Sequence, residues 1–438
     1  MSIIQGDYMC KQGWGKLIIR TKRGRGRGCR CFPLVSTVLL LFLLCFLLTG
    51  CGKKNSLAPD LDRSSLARDD VLKQPERYIT VGKTNCDFST LREAIEDVRQ
   101  GRNEIVLMDP VHTEGGIFID RDLVLHGLGR GAGEVPGATV LQASSSPEEA
   151  GDRVLQIEEG VTVMIRDLII RHGNAPGPYR SGGGIRNYGS LILEYCSARD
   201  NLALYGAGIL NSGTLTMRGC TVADNHTLPI TMAELKDATG CTGSGGGIKN
   251  EPGARMELNS CTISGNSSLR KGGGLFLSCE SMAVLSNCTI SGNESRQPGG
   301  GVHIRGDAEM VHCTITGNHT KKQGGGVYNL GHLDMTACII AGNEYTDFVI
   351  GSGGGIYGTG EMGTDTYNLV ADGGRESALS GDPGLGPLYD NGGPTLTHAL
   401  PRRSPAVDVI PRAELRVDKD QRGMPRQGKA GDIGAFER

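Results

Sequence analysis

NCTISGNESRQPGGGVHI, Asn287 to Ile304, sets a pattern that the chain repeats. Cys288 is followed five positions later by Asn293, and a glycine triplet at Gly299 leads into the aliphatic Val302. The cysteines of this grammar are Cys196, Cys220, Cys261, Cys288, Cys313 and Cys338. Their asparagines are Asn201, Asn225, Asn266, Asn293, Asn318 and Asn343. Glycine triplets or near-triplets begin at Gly182, Gly206, Gly245, Gly272, Gly299, Gly324 and Gly353, and most steps are 24–27 residues.

A helical hairpin repeat would space its apolar residues by three and four. Here they alternate by two: Leu191 and Leu193 before Cys196, Leu215 and Met217 before Cys220, Leu333 and Met335 before Cys338. One repeat therefore holds three short strands. Stacked repeats put equivalent residues ~4.8 Å apart, in ladders, around a narrow continuous core. Cysteine fits that core as a small apolar side chain. Asparagine suits a turn through its tolerance of left-handed backbone, and stacked amides bond along the ladder. Glycine permits a corner where a side chain would clash. The pattern predicts an all-β chain, a single-stranded right-handed parallel β-helix of about ten coils on the order of 50 Å long, its hand following from the crossover rule. A short N-terminal capping helix and an irregular C-terminal cap complete it.

In-register cysteines have parallel Cβ vectors, which strain a disulfide, so the six are expected as buried free thiols. Cys86, Cys241 and Cys279 fall outside the ladder, with their pairing left open.

Composition agrees with many turns, with 68 glycines and 5% aromatics in 438 residues. The first 50 residues hold 8 Lys+Arg and one acidic residue, leaving 38 basic and 47 acidic in the remainder, which opposes nucleic-acid binding. A basic stretch, KLIIRTKRGRGRGCR, precedes the apolar FPLVSTVLLLFLLCFLL, the order of a targeting segment. The start is Met1 or Met9, and the only tryptophan, Trp14, is lost on processing. Expected domains are a signal peptide over 1–50, a flexible tether over 51–77, an N-terminal cap over 78–104, the β-helix over 105–364 and a terminal cap domain over 365–438. In the first cap, Thr90 and Glu93 form a capping box ahead of the stripe Leu91, Ala94, Ile95, Val98.

LTGC, Leu48 to Cys51, resembles a bacterial lipobox, which implies lipidation of Cys51 and attachment to a membrane. Gly52 in place of an aspartate favours the outer membrane or cell surface. The SxGN…GGGI repeats resemble those of polymorphic outer-membrane proteins. FSTLREAIEDV…EIVL is similar to the N-terminal cap segment of bacterial surface β-helix proteins. DPGLGPLYDNGGPTLTHALPRRSPAVDV and DQRGMPRQGKAGDIGAFE resemble the choice-of-anchor Q domain. Together these cover nearly all of the mature chain. They imply a surface β-helix of the pectate-lyase-like superfold whose anchoring device varies, a role the lipid on Cys51 would fill. They imply no particular reaction.

Enzymes of related fold carry signatures that this chain lacks. Polygalacturonases need paired aspartates and Gly-His-Gly, whereas this chain has RHGN at 171–174. Two outward stripes hold the candidate chemistry. Two residues past each triplet come Arg186, Leu210, Lys249, Phe276, His303, Tyr328 and Tyr357, a basic-to-aromatic run suited to stacking on sugars and steering an acidic glycan. Without Leu210, these are the expected ligand-binding residues. Four before the cysteines come Glu257, Glu309 and Asp334. Glu309 and Asp334, roughly 5 Å apart in register, suit a retaining glycosidase pair or calcium ligands. Lys249, His303, Glu309 and Asp334 are the catalytic candidates. His303, His312 and His332 share no face and are not expected to hold a metal.

The insertion HTLPITMAELKDATGCTGS before Gly245 maps to one face of the solenoid. RGD at Arg305–Asp307 reads as a turn, and DKDQRG from Asp418 starts like a calcium loop but has Lys429 at its twelfth position. The expected role is a non-catalytic, lipid-anchored surface interaction or glycan-binding, adhesin-like protein with glycans or envelope and surface proteins as partners, monomeric and without a cofactor unless calcium. The alternative is a polysaccharide lyase or glycoside hydrolase acting on an acidic polysaccharide.

Overall fold

Each repeat folds as one coil. Ile185–Asn187 leads to the five-residue strand Ser190–Glu194, then to Ser197–Arg199 and to the two-residue strand Leu202–Ala203. The following coil lies parallel and in register, with Ile185 opposite Ile209, Leu191 opposite Leu215 and Ser197 opposite Thr221. The computed structural model describes residues 66–438 except 100, 130, 132–136, 176–179, 230–244, 347–353 and 374–378. Those residues belong to the unit Leu57–Arg438. The chain is an all-β parallel β-helix of about ten coils, because period-2 alternation buries one row of aliphatics per strand on every turn.

Among the described residues, the glycine-side sheet has nine strands, from Ile117–Ile119 to Ile356–Tyr357. A long-strand sheet has eleven, from Tyr78–Val81 to Glu361–Thr366, and a cysteine-side sheet has ten, from Val111–Thr113 to Leu369–Val370. Six further two-residue strands, one after each ladder asparagine, form a fourth sheet, from Leu202–Ala203 to Glu344–Tyr345. A coil thus carries up to four strands rather than the three expected, since the chain stays extended for two residues past each asparagine.

The glycine triplet works as predicted. Gly272 has φ +65°, and a Cβ on Gly273 would lie 2.4 Å from the Gly300 carbonyl oxygen. Asparagine works differently. The left-handed residue is the one before it: Asp200, Asp224, Gly265, Gly292, Gly317 and Gly342. Asparagine itself contributes a buried amide. Asn225 accepts at Oδ1 from the Asn201 amide N–H and Nδ2, while its own Nδ2 donates to the Ala198 carbonyl and to Asn266 Oδ1. The ladder continues to Asn343, whose N–H and Nδ2 donate to the Asp372 carboxylate. Each rung satisfies polar groups that burial would otherwise orphan.

Two terminal expectations need correction. The tether expected over 51–77 does not reach 77. The helix Arg68–Leu72 packs Val71 with Tyr78, Val106 and Met108, because an apolar face is available at the start of the rod. Beyond it, Thr90 caps the helix Leu91–Asp97 by accepting from the Glu93 N–H, and Leu91, Ala94 and Ile95 are buried. Glu93 itself accepts from Ser89.

The second correction concerns the terminal segment, expected to close the end of the rod. It instead lies along the flank of the cysteine-side sheet. Thr262 donates to the Leu396 carbonyl, Thr289 to Gln421, and Ala435 donates to Thr314. Ile339 and Leu369 join Leu400, Ala406, Ile410, Ile433 and Phe436 in a second core. The reason lies in the outer face of that sheet. Thr262, Thr289 and Thr314 offer one hydroxyl per coil on an otherwise small-residue surface, which a polar-cored segment can cover. No helix among the described residues is long and apolar enough to cross a membrane.

Candidate functional site

The residues two past each triplet do stack in one row. Arg186, Leu210, Lys249, Phe276, His303, Tyr328 and Tyr357 are register partners in sequence along the glycine-side sheet. Phe276 to His303 and His303 to Tyr328 are stacked at 5.0 Å, and Tyr328 to Tyr357 at 6.0 Å. Such pairs are each worth ~0.5–1.5 kcal/mol beyond area burial. The row is not the open ligand stripe expected of it. Leu210, Lys249, Phe276 and His303 are buried, whereas Tyr357 is 43% exposed. Ahead of the Gly299 triplet the loop folds back over the row. His303 Nδ1 lies 3.0 Å from the Pro298 carbonyl oxygen, and a Cβ on Gly299 would touch His303 Cβ at 2.8 Å.

Burial also removes these groups from acid–base work. It pushes the His303 imidazole down to about 3, with Lys271 and Arg305 adding to the shift, so the ring is neutral near pH 7. Lys249 is paired with Glu251 at 2.9 Å and held over the Tyr205 ring at 4.5 Å. Arg186 stacks on Tyr188 at 4.7 Å.

Glu309 and Asp334 are adjacent in register, as expected, but on the long-strand sheet. The four catalytic candidates therefore do not converge. Glu309 is engaged by Arg416 of the terminal segment at 3.2 Å. Asp334 accepts from the Thr364 N–H and pairs with His332 at 3.1 Å. The Thr364 N–H, ahead of the His332 contact, holds the Asp334 carboxyl below its usual range. His332 moves the other way. Burial is the largest single influence and lowers it, but the Asp334 hydrogen bond and the charges of Asp334, Glu361 and Asp307 together outweigh it and raise the imidazole. His303, His312 and His332 lie apart, one on the glycine-side sheet, one at a buried corner and one on the long-strand sheet. Among the described residues no group of three or more His, Cys, Asp or Glu is placed to hold a metal ion. For calcium, Glu309 and Asp334 offer two carboxylates already engaged by Arg416 and His332.

The row opens only at its end. Ile356–Tyr357 is the edge strand of the glycine-side sheet among the described residues. Beside it a cavity of about 250 Å³ is lined by Asn329, Tyr357, Gly358, Thr359, Gly360 and Met362. Its floor is glycine backbone, and a Cβ on Gly358 would fall 1.9 Å from the Asn329 carbonyl oxygen. One aromatic face, backbone polar groups and an apolar wall thus meet where a further rung would stand.

Several structural residues escaped the sequence reading. Asn187, Asn211 and Asn250 form a second amide ladder, with Nδ2-to-Oδ1 contacts of 2.7 Å. Its signal was an asparagine two residues after each aliphatic, as in IRN, ILN and IKN. The DKDQRG stretch is a structural turn. Buried Asp420 accepts from Arg422, Met424 and Glu437 N–H groups. Gln421 reaches Thr262, Thr289 and Thr395. The RGD glycine sits where a Cβ would be 2.3 Å from the Ser281 carbonyl oxygen, so it serves a tight turn. The six ladder thiols are free and buried, Cys86 is half-buried, and Cys279 is free and exposed. Cys241, the TMAELKDA stretch and Cys51 lie outside the described residues.

No curated protein matches this chain. Among solved structures, pectate lyase Pel9A aligns over 86% of this chain and 98% of its own at 14% identity, with a TM-score of 0.47. The pectin methylesterase of Aspergillus niger aligns over 73% and 92% at 13% identity, TM-score 0.36, and that of carrot over 75% and 88% at 12%, TM-score 0.31. Residues 153–344 match the family described as the right handed beta helix region, so the ladders from Arg153 to Glu344 belong to a right-handed β-helix region.

Proposed function

We propose that this protein is an exported β-helix of the cell envelope, held at the outer membrane or cell surface through lipidated Cys51, that binds glycan without turning it over. The observation that carries the reading is the open end of the aromatic row. Tyr357, stacked on Tyr328 through one face, presents its ring beside the 250 Å³ cavity, while His303 and Tyr328 each have rings stacked on both faces and Phe276 is buried. A pyranose ring seated there would lay its C–H face on Tyr357 and place hydroxyls on the backbone of the Gly358–Gly360 turn. Few polar groups around an aromatic platform is the composition of a small carbohydrate subsite. The scattering of Lys249, His303, Glu309 and Asp334 over two sheets, each engaged within the chain, supports binding over turnover. The terminal segment, which resembles the choice-of-anchor Q domain, serves in this reading to brace the rod.

The test is a glycan array with the detergent-solubilised full chain, beside an ultraviolet assay for unsaturated products on acidic polysaccharides. Binding that Tyr357→Ala abolishes while leaving the unfolding midpoint unchanged supports the proposal. Turnover lost in Glu309→Gln or Lys249→Ala would establish the lyase or glycosidase reading instead.

A further inference from the structure

Among the described residues, no contact from a loop or the terminal segment is seen over Met282 and Val284 on the outer face of the long-strand sheet, although Arg416 of the terminal segment reaches Glu309 one coil away. Met282 and Val284 are 42% and 36% exposed, side by side on one strand. They border a depression of about 220 Å³ shared with Thr214, Thr216, Arg255 and Glu257. Two adjacent exposed apolar side chains, in a face whose further apolar members Ile192, Met164 and Val124 are half-buried, are unusual enough to need a partner.

The rows on either side say which partner. Register places Arg255 one coil before Met282 and Asp307 one coil after it. Both are exposed, and among the described residues neither has an ion-pair partner. In the neighbouring column Glu257 precedes Val284 and Glu309 follows it. Glu309 carries Arg416 at 3.2 Å, so that end of the column presents a cation beside its carboxylate. One coil further out, Thr214 and Thr216 lie on the first side and His332 and Asp334 on the second.

This arrangement is self-complementary. We propose that two copies of the chain pair through this face as antiparallel rods, about a two-fold axis running along the Met282–Ser286 strand. That operation lays Met282 and Val284 on their own counterparts. It sets Arg255 against Asp307 of the second copy, twice. Glu257 meets Arg416 and Glu309 of the second copy, and Thr216 meets its Asp334. Arg255 and Asp307 pair opposite charges and Thr216 offers a hydroxyl to Asp334, while Glu257 faces the Glu309 carboxylate and takes its opposite charge from Arg416 beside it, which gives the facing rows the complementarity of an isologous interface. A symmetric dimer of this kind differs from the monomer expected from sequence. This inference stands apart from the glycan reading, since Tyr357 lies on a different sheet.

The test uses the full chain in its own membranes with exposed Cys279 replaced by serine. Met282→Cys places two thiols across the axis and should yield a disulfide-linked dimer on mild oxidation, above the level of the parent. Thr162→Cys, on the same face, puts its two thiols eight coil steps apart, roughly 38 Å, and should yield none above the parent. Adding Arg255→Glu or Asp307→Arg to Met282→Cys should cut the yield about tenfold, and adding both together should restore it. Protease resistance of each variant reports folding. Failure of Met282→Cys to crosslink in a protease-resistant protein, equal crosslinking at Thr162→Cys, or no recovery in the charge-swapped pair would each overturn the proposal.

Discussion

Arg426 and Glu437 form an ion pair at 3.1 Å with side chains 0% and 6% exposed, inside the junction between the terminal segment and the rod. Arg426 also donates to Asn287 Oδ1 of the cysteine-side corner and to the Gly434 carbonyl. The pair therefore welds two parts of the chain separated by 139 residues in sequence. Breaking a buried pair by removing one partner strands the other charge. Arg426→Met should lower stability by about 3–5 kcal/mol, and Arg426→Met with Glu437→Leu should recover much of that loss. Chemical denaturation of the four-member cycle checks both numbers. Hydrogen exchange adds the structural readout: the Ala435 amide, which donates to Thr314, should lose protection first.

The asparagine ladder makes a second prediction. Asn266 Oδ1 accepts from the Asn225 N–H and Nδ2, and Asn266 Nδ2 donates to the Val222 carbonyl and to Asn293 Oδ1. Asn266→Ala strands the buried Asn225 N–H and takes one partner each from the Val222 carbonyl, from Asn225 Nδ2, which keeps the Ala198 carbonyl, and from Asn293 Oδ1, which keeps the Asn266 N–H. A stranded group costs about 1–3 kcal/mol and the other lost bonds add to it, so a total of about 3 kcal/mol or more is expected from the urea midpoint. Asn187→Ala, near the start of the other ladder, removes three side-chain hydrogen bonds rather than four, to Asn211 Oδ1, to the Thr214 carbonyl and from the Gly189 N–H, and should cost somewhat less.

How far the sequence could be read follows from the same geometry. In a parallel, in-register stack, a period in the text becomes adjacency in space. That is why Cys196 to Cys338, and the row from Arg186 to Tyr357, were placed correctly in register before any coordinates. Exposure was not legible. Whether Phe276 faces water depends on loops whose return path no local pattern encodes, and they roof the row. The fate of the cysteine-side flank depends on Gln421, which reaches Thr262 across 159 residues. A signal did exist there. Threonine directly after Cys261, Cys288 and Cys313 predicts a hydroxyl ladder, and buried hydroxyls require a covering partner. The candidate carboxylates failed for a related reason, since Arg416 arrives at Glu309 from the far end of the chain.

The ladder thiols should be chemically silent in the folded protein. Burial pushes the Cys220, Cys288 and Cys338 thiols well above their ordinary value, and all six ladder cysteines are buried. Thiolate is the reactive form. Brief treatment of the native full chain with iodoacetamide, followed by peptide mass spectrometry, should therefore mark Cys279 at least about tenfold faster than any of the six. Unfolding in urea should bring all of them to comparable rates. Fast native labelling of Cys261 or Cys313 would mean that the coils open locally.

Acid should weaken the rod through His303. Its ordinary pKa of 6.5 falls to about 3 in the fold because the ring is buried between Phe276 and Tyr328. The unfolded chain therefore takes up a proton below pH 6.5 that the folded chain refuses. Stability from this group is complete above pH 6.5 and is lost as pH falls from there toward about 3. The slope is about 1.4 kcal/mol per pH unit for one such proton. His303→Phe keeps a ring in the stack and removes the titration. Between about pH 7 and pH 4.5 the variant should lose roughly 2 kcal/mol less than the parent. His312 is also held down by burial, ahead of the charge of Arg426, so a residual slope remains in the variant. Urea midpoints at the two pH values decide the matter. Equal losses in parent and variant would mean that water and protons reach the ring, and that the loops do not roof the row as the Pro298 contact indicates.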